Sequence, residues 1–171
     1  MHALLLTGTC GSGKTTVSTL LGGRAGWTRI SEDEIWPRLF GRDRSAFGSD
    51  DHRRKRAIVH GAVFTAAATA LSGGSRVVID ATVHESPPEA YLEYRAFFES
   101  LAVPWAIRIL HPRLDVAIAR DAARAGWHAG PARVSLLHAK FTRSIFTPDW
   151  FLDTSDHSPA ETIARLGLPV C

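Results

Sequence analysis

The chain has 171 residues, of which 45% are hydrophobic and 22% are charged, so it is long enough to bury the core of one globular domain over residues 1–171. This composition excludes a disordered chain. The net charge of +3 suits an anionic ligand but is too small to require nucleic acid. Neither a leader pattern nor an apolar run of membrane-spanning length is present, which predicts a cytoplasmic protein without a membrane partner.

The first predicted strand, Ala3 to Thr7, leads directly into a glycine-rich loop and a helix over Lys14 to Arg24. Residues 8–15 read GTCGSGKT, a full match to the phosphate-binding pattern GxxxxGK[ST]. Glycines let successive backbone N–H groups point at phosphate oxygens, and the helix N-terminus adds a positive field. The order of strand, loop and amphipathic helix favours a nucleoside triphosphate site over a glycine turn without a ligand.

The residue types of this loop have separate roles in holding a nucleotide. Lys14 is expected to reach the β- and γ-phosphates as a catalytic residue, and the Thr15 hydroxyl is expected to ligate Mg²⁺. The other predicted nucleotide-binding residues of the loop are Gly8, Cys10, Gly11, Ser12, Gly13 and Thr16.

An acidic cluster follows the second predicted strand, Trp27 to Ser31, and opens a helix over Asp33 to Phe40. Ligands of open parallel sheets bind at the carboxyl ends of strands, and a kinase needs a carboxylate that accepts the proton of the acceptor hydroxyl. We therefore interpret Asp33 as a general base that touches the acceptor. The alternative is that the cluster only stabilises the helix N-terminus, where negative charge is favourable.

A long helix is predicted over Asp50 to Leu71, and it begins with four basic residues at 53–56. Four consecutive residues spread over most of the circumference of a helix, which is typical of a solvated face. We expect one of them, Arg54 or Arg53, to point into the cleft, and Arg54 is the candidate for binding the acceptor.

The third predicted strand, Arg76 to Asp80, ends in a carboxylate at the position where many phosphate-loop proteins support Mg²⁺. Asp80 is expected to do so through Thr15 or a water, and the alternative is a turn between Asp80 and Thr82. Thr82 is also a candidate for binding the acceptor. Alanine at position 81, where a hydrolytic ATPase commonly has a second carboxylate, argues against hydrolysis as the main activity.

The remaining predicted elements continue the alternation of strands and helices. The helices are Pro87 to Leu101, Arg113 to Ala125, Ala132 to Ile145 and Pro159 to Leu166, and the strands are Pro104 to Leu110 and Trp150 to Asp153. Such alternation predicts an α/β fold with a parallel sheet that is covered by helices on both faces.

Two arginines in the second half of the chain are candidates for catalysis. Arg120 and Arg124 are four residues apart and therefore share one helix face. Guanidinium groups that close over a triphosphate neutralise the charge that develops on the transferred group. We expect both to belong to a small helical lid over residues 120–145, and the alternative is a solvated face that pairs with nearby aspartates.

Five segments together resemble one group of enzymes: GTCGSGKT, ISEDEI, VVIDAT, the arginine pair and FLDTSDHSPAETI. The chain is similar to the small phosphate-loop kinases grouped with chloramphenicol phosphotransferase and the polynucleotide 5′-kinase domain. The resemblance implies a P-loop NTPase fold with strand order 2-3-1-4-5 and ATP as the donor. It also implies a base at Asp33, nucleotide-binding and lid arginines at Arg120 and Arg124, and an adenine-side loop that includes Asp153 and Thr154.

One position departs from the pattern of that group. Its polynucleotide kinases carry an arginine three residues after the base, which holds a phosphate of the acceptor, and here the residue is Trp36. Trp36 is therefore predicted to line a more apolar acceptor site, unless it is a core residue at helical spacing. We expect an ATP- and Mg²⁺-dependent kinase for an uncharged or aromatic hydroxyl compound, such as an antibiotic or secondary metabolite. The alternatives are a polynucleotide kinase, a sugar-acid kinase and a nucleotide switch with slow hydrolysis.

Overall fold

The computed structural model describes residues 2–41, 48–83, 89–144 and 146–168. Five strands form one parallel sheet in the order β2-β3-β1-β4-β5. The strands are β1 (Ala3–Gly8), β2 (Trp27–Ser31), β3 (Arg76–Asp80), β4 (Trp105–Leu110) and β5 (Phe151–Leu152). The predicted α/β fold and the strand order implied by the resemblance are both confirmed.

Helices connect the strands and cover both faces of the sheet. Within the described residues they are α1 (Lys14–Gly22), α2 (Glu32–Phe40), α3 (Asp50–Ser72), α4 (Glu89–Ser100), α5 (Leu114–Ala122), α6 (Pro131–Thr142) and α7 (Pro159–Arg165). The predicted helix boundaries at Pro87 and Ile145 lie outside the described residues. No helix in the described ranges is both long and apolar enough to cross a membrane.

Two of the predicted boundaries that differ from the structure have a local cause. The last strand ends at Leu152 because the Asp153 carboxylate accepts hydrogen bonds from the backbone N–H and hydroxyl of Ser155, which turns the chain away from the sheet. The fifth helix ends at Ala122 rather than Ala125, shortly before Gly126 adopts a positive φ of 90°.

The central strand β1 is buried along its whole length because helices cover both faces of the sheet. Side chains alternate between the faces, so the core has two layers. One layer contains Leu5, Val77, Ile79, Ile107, Ile109, Val59, Val63, Ala67, Tyr94 and Phe98. The other contains Leu4, Leu6, Val78, Leu110, Val17, Leu21, Ile163 and Leu166.

The order of the strands creates a crevice at the carboxyl edge of the sheet. β1 pairs with β3 on one side and with β4 on the other, so the chain that leaves β3 and the chain that leaves β4 diverge around the end of β1. Open α/β sheets bind their ligands at such a switch point. The glycine-rich loop begins there.

Candidate active site

The glycine-rich loop packs closely against β4 and α5. Gly8 and Gly11 have positive φ values of 144° and 74°. A Cβ atom at Gly8 would lie 2.2 Å from the carbonyl oxygen of Leu110, and one at Gly11 would lie 2.0 Å from that of Ala117. Both positions therefore require glycine for backbone conformation and for space.

The N-terminus of α1 has the features of an anion site. No side chain caps it, and its first turn contains no acidic residue, so its first backbone N–H donors are available to an oxyanion. The buried Lys14 ammonium donates to the carbonyl oxygens of Gly8 and Thr9, both at 2.9 Å. These bonds hold the positive charge of Lys14 over the loop, and this arrangement fits a triphosphate.

Hydrogen bonds from three elements hold the loop in place. The Thr9 hydroxyl donates to the carbonyl oxygen of Val134 in α6 at 3.3 Å, and the Thr154 hydroxyl donates to that of Ser12 at 3.2 Å. Arg120 in turn donates to the carbonyl oxygens of Thr154 and Ser155 at 2.9 and 3.1 Å. The phosphate loop, the helices α5 and α6 and the loop after β5 therefore form one connected frame.

A cleft of about 1260 Å³ opens above this frame. Pockets for one ligand commonly measure about 300–1,000 Å³, so this cleft has space for two substrates. Among the predicted site residues, those that line it are Cys10, Gly11, Ser12, Gly13, Lys14, Thr15, Thr16, Asp33, Trp36, Thr82, Arg120, Arg124 and Thr154.

Two of the predicted nucleotide-binding residues, Gly8 and Asp153, do not line the cleft. Gly8 contributes its carbonyl oxygen to Lys14, and Asp153 uses its carboxylate to hold Ser155. The hydrogen bonds of Asp153 lower the pKa of its carboxyl group. Both residues shape the loops, and Thr154 is the neighbour of Asp153 that reaches the cleft.

The prediction that Arg54 faces the cleft was wrong. Its side chain is 78% exposed and lies 3.9 Å from Asp51 on the outer face of α3. Arg56 lines the cleft instead, together with His52 and His60. These three residues are four apart, and a rotation of 100° per residue places them on one face of the helix, whereas Arg54 is turned away.

The two predicted metal residues differ in their surroundings. Thr15 borders the cleft and fits a hydroxyl ligand for Mg²⁺. Asp80 is buried at the end of β3, and its Oδ2 accepts from the Ser18 hydroxyl at 3.1 Å and lies 3.5 Å from Arg29. Asp80 thus faces α1 one helical turn beyond Thr15, and its support of a metal stays a prediction.

Three consecutive carboxylates open α2, and they have three different environments. Glu34 pairs with Arg29 at 2.6 Å, away from the cleft. Glu32 accepts from His60 at 2.7 Å and from the Tyr94 hydroxyl at 3.3 Å. Asp33 is exposed, lines the cleft, and has no hydrogen-bond or ion-pair partner among the described residues. Asp33 is therefore the carboxylate of the three that is available to a substrate.

A buried network joins the first turn of α2 to α3 and α4. His60, whose side chain is 3% exposed, contacts Glu32 through Nε2 and Glu93 through Nδ1. Burial alone lowers the pKa of His60, but the hydrogen bonds and charges of Glu32 and Glu93 outweigh it and raise this pKa. Burial also raises the pKa of Tyr94, followed by the effect of Glu32, so Tyr94 remains a neutral donor.

A sequence profile described as an AAA domain, AAA_33, matches residues 4–147 of the chain. The chain belongs to the AAA_33 family. Comparison with curated proteins finds no match to the sequence.

Solved structures resemble the AAA_33 domain in fold, and they include a protein described as a kinase. The Deinococcus radiodurans tunicamycin resistance protein has a TM-score of 0.67 and 17% identity, with 98% of this chain and 96% of that chain covered. Mycobacterium tuberculosis APS kinase, in complex with AMPPNP and APS, has a TM-score of 0.62 and 18% identity, with 95% and 92% covered.

A chain of the Pnkp1/Rnl/Hen1 RNA repair complex has a TM-score of 0.62 and 16% identity. That match covers 82% of the AAA_33 domain but 43% of the repair chain. At these identities the likeness shows the fold.

Several residues that line the cleft were not among the predicted site residues. They are Glu32, His52, Arg56, His60, Arg133, His157 and Thr162. For α3 a signal was present: the buried stripe Val59, Val63 and Ala67 continues toward the N-terminus through Arg56 and His52. Extending the apolar face of the helix would have selected Arg56 over Arg54 in the AAA_33 domain.

Proposed function

We propose that this AAA_33 domain is an ATP-dependent phosphotransferase that acts on a hydroxyl group of a small molecule. The observation that carries the proposal is the position of Asp33, which lines the same cleft as Lys14 and has no partner among the described residues. A carboxylate in this position suits proton abstraction from an acceptor hydroxyl. Its two neighbours, Glu32 and Glu34, are held by His60 and Arg29.

The proposed reaction uses the residues of the phosphate loop to bind the donor. Lys14 and the backbone N–H groups at the start of α1 hold the β- and γ-phosphates of ATP. Mg²⁺, when bound, neutralises charge on these phosphate oxygens, and Thr15 is the residue that would hold it. Asp33 accepts the hydroxyl proton while the acceptor oxygen bonds to the γ-phosphorus. The bond to the bridging oxygen breaks, and ADP leaves.

Arg120 and Arg124 are proposed to stabilise the charge of the transferred group. Both line the cleft, Arg120 from α5 and Arg124 from the turn that follows it. The Nη2 atom of Arg120 already donates hydrogen bonds to carbonyl oxygens of the loop after β5, so Arg120 also positions that loop. Arg124 has no hydrogen-bond or ion-pair partner among the described residues, and its exposed guanidinium is available to a ligand. Closure of residues 120–145 as a lid would keep water from the reaction.

The finer grouping with the chloramphenicol phosphotransferase and polynucleotide 5′-kinase branch is part of this proposal. It is supported by the five sequence segments and by the order of the strands. A small acceptor with an apolar portion suits the cleft because Trp36 and Trp127 contribute aromatic surface to its lining.

The test is a transfer assay with the purified protein, labelled ATP and Mg²⁺, in the presence and absence of a panel of alcohols, sugar acids and 5′-hydroxyl oligonucleotides. We expect label to move to an acceptor. Asp33→Asn is expected to retain ATP binding and to lose transfer by about 10²- to 10⁴-fold, since an amide is a very poor proton acceptor. Glu34→Gln is the matched control, because Glu34 pairs with Arg29 outside the cleft.

Two outcomes contradict the proposal. Slow ADP release that is independent of every acceptor indicates a nucleotide switch. An Asp33→Asn variant that loses ATP affinity but keeps its transfer rate shows that Asp33 serves the nucleotide or the fold.

A further inference from the structure

The cleft has a further cationic side chain, that of Arg56, on a different part of the fold from the proposed nucleotide-binding residues Arg120 and Arg124. Arg120 belongs to α5, which follows β4 on one side of β1, and Arg124 lies two residues beyond the end of this helix. Arg56 belongs to α3, which leads into β3 on the other side of β1. Arg56 and the pair Arg120 and Arg124 therefore follow the phosphate loop on opposite sides of the switch point at β1.

The surroundings of Arg56 identify the acceptor side of the cleft. Arg56 shares its helix face with His52, and the His52 ring stacks on Trp36 with ring centroids 5.2 Å apart. Trp36 follows Asp33 by three residues in α2, and both line the cleft. Arg56 therefore lines the cleft on the same side as Asp33, the proposed base, and Trp36.

On this side of the cleft the positive charge belongs to arginine and not to His52. Burial, followed by the charges of Arg56 and Arg133, lowers the pKa of His52 and so favours the neutral ring. Arg133, on α6, lines the same cleft. Within the described residues Arg56 has neither a carboxylate within ion-pair distance nor a hydrogen-bond partner. A half-buried guanidinium in this state is suited to bind an anion.

The charges of the whole cleft agree with an additional anion. Its lining has the cationic side chains of Lys14, Arg56, Arg120, Arg124 and Arg133, against the carboxylates of Glu32 and Asp33. One triphosphate with Mg²⁺ would engage Lys14, Arg120 and Arg124, whereas Arg56 lines the cleft from the same face of α3 as His52.

We propose that Arg56 forms an anion-binding subsite for the acceptor, which therefore carries a carboxylate, sulfate or phosphate group next to an apolar or aromatic portion that contacts Trp36 and His52. This inference rests on the proposed kinase function for the identity of the ligand. It replaces the uncharged acceptor that Trp36 alone had suggested.

The binding test uses phenyl phosphate as the probe and protein that is saturated with AMPPNP and Mg²⁺, so that the phosphate loop is already occupied. We expect phenyl phosphate to bind, and Arg56→Gln to weaken this binding roughly tenfold or more, as loss of a charge-assisted hydrogen bond predicts. The affinity for AMPPNP should stay within about twofold of the wild type, and Arg56→Lys should retain part of the probe affinity. Arg54→Gln is the matched control, because Arg54 lies on the outer face of α3.

Loss of AMPPNP affinity in Arg56→Gln that equals the loss of phenyl phosphate affinity overturns the proposal, because Arg56 would then serve the nucleotide. Equal probe binding by wild-type protein and Arg56→Gln also overturns it.

A turnover test separates this inference from the kinase proposal. It compares hydroxymethylbenzoate with its uncharged methyl ester as acceptors. Preference for the carboxylate that is lost in Arg56→Gln supports the subsite. Equal transfer to both compounds overturns the subsite and leaves the kinase standing, whereas Arg56-dependent probe binding without transfer to any acceptor supports the subsite and counts against the kinase.

Discussion

Replacing His60 with glutamine tests whether the network below the proposed base depends on a charged histidine. His60 bridges Glu32 and Glu93, whose side chains are 18% and 40% exposed. A hydrogen bond to a charged group contributes about 1.5–3 kcal/mol, and the more exposed Glu93 bond is worth less because water screens it. Glutamine still donates to one carboxylate. We expect His60→Gln to lower the free energy of unfolding by about 2 kcal/mol, or the melting temperature by about 4–8 °C.

The pH dependence of this difference has a definite sign. The pKa of His60 is raised in the folded protein by Glu32 of α2 and Glu93 of α4, and Tyr94 stays neutral. A raised histidine pKa gives stability that is fully present below the unfolded pKa of about 6.5 and is lost as pH rises through the folded value. Glutamine does not titrate. The stability difference between wild type and variant should therefore be largest near about pH 6 and shrink toward about pH 9.

Urea unfolding at several pH values, followed by tryptophan fluorescence and circular dichroism, measures this difference. His2→Gln is the control, because the His2 side chain is exposed. A His60→Gln protein that is as stable as the wild type near about pH 6 would refute a charged His60, and so would a difference that grows with pH. Transfer activity adds a second readout, since loss of the Glu32 contact should disturb α2 and thereby Asp33.

Lys14→Ala should lower transfer by at least about 10²- to 10³-fold while circular dichroism stays unchanged, because no water replaces a unit charge on the phosphates in a closed site; near-normal turnover would contradict this role. Gly11→Ala should abolish ATP binding in titration calorimetry, because its Cβ would lie 2.0 Å from the Ala117 carbonyl oxygen. Gly26→Ala, at a similar positive φ of 77° but in open space, is its control and should bind ATP normally. Trp36→Ala should raise the KM for the acceptor and leave ATP affinity unchanged; equal losses for both substrates would place Trp36 in the core instead.

Local sequence was sufficient for the elements and for the nucleotide site. The phosphate loop depends on eight consecutive residues, 8–15, whose glycines and Lys14 act within one turn of chain. The bounds of β2 and β3 were also predicted correctly, and β3 contains a short apolar run, residues 77–79, that is followed by Asp80. These features could be predicted because strand periodicity and loop conformation are properties of neighbouring residues.

The ion pairs of the three carboxylates at the start of α2, beside the proposed acceptor site, could not be predicted in the same way. The sequence shows three adjacent carboxylates at residues 32–34, and any of them suits a base or a helix terminus. Contacts with His60 on α3, Tyr94 on α4 and Arg29 on β2 distinguish them, and these partners are distant in sequence except for Arg29.

The sequence by itself therefore determined that this chain folds as a parallel α/β domain with a phosphate loop after β1, because both properties are encoded by local patterns. Only the tertiary structure decided that Asp33 faces the cleft and that Arg56, rather than Arg54, lines it. The rotation of α2 and α3 about their axes selects these side chains. For α3 that rotation is set by the burial of Val59 and Val63 against the sheet, and such packing is a property of the assembled core.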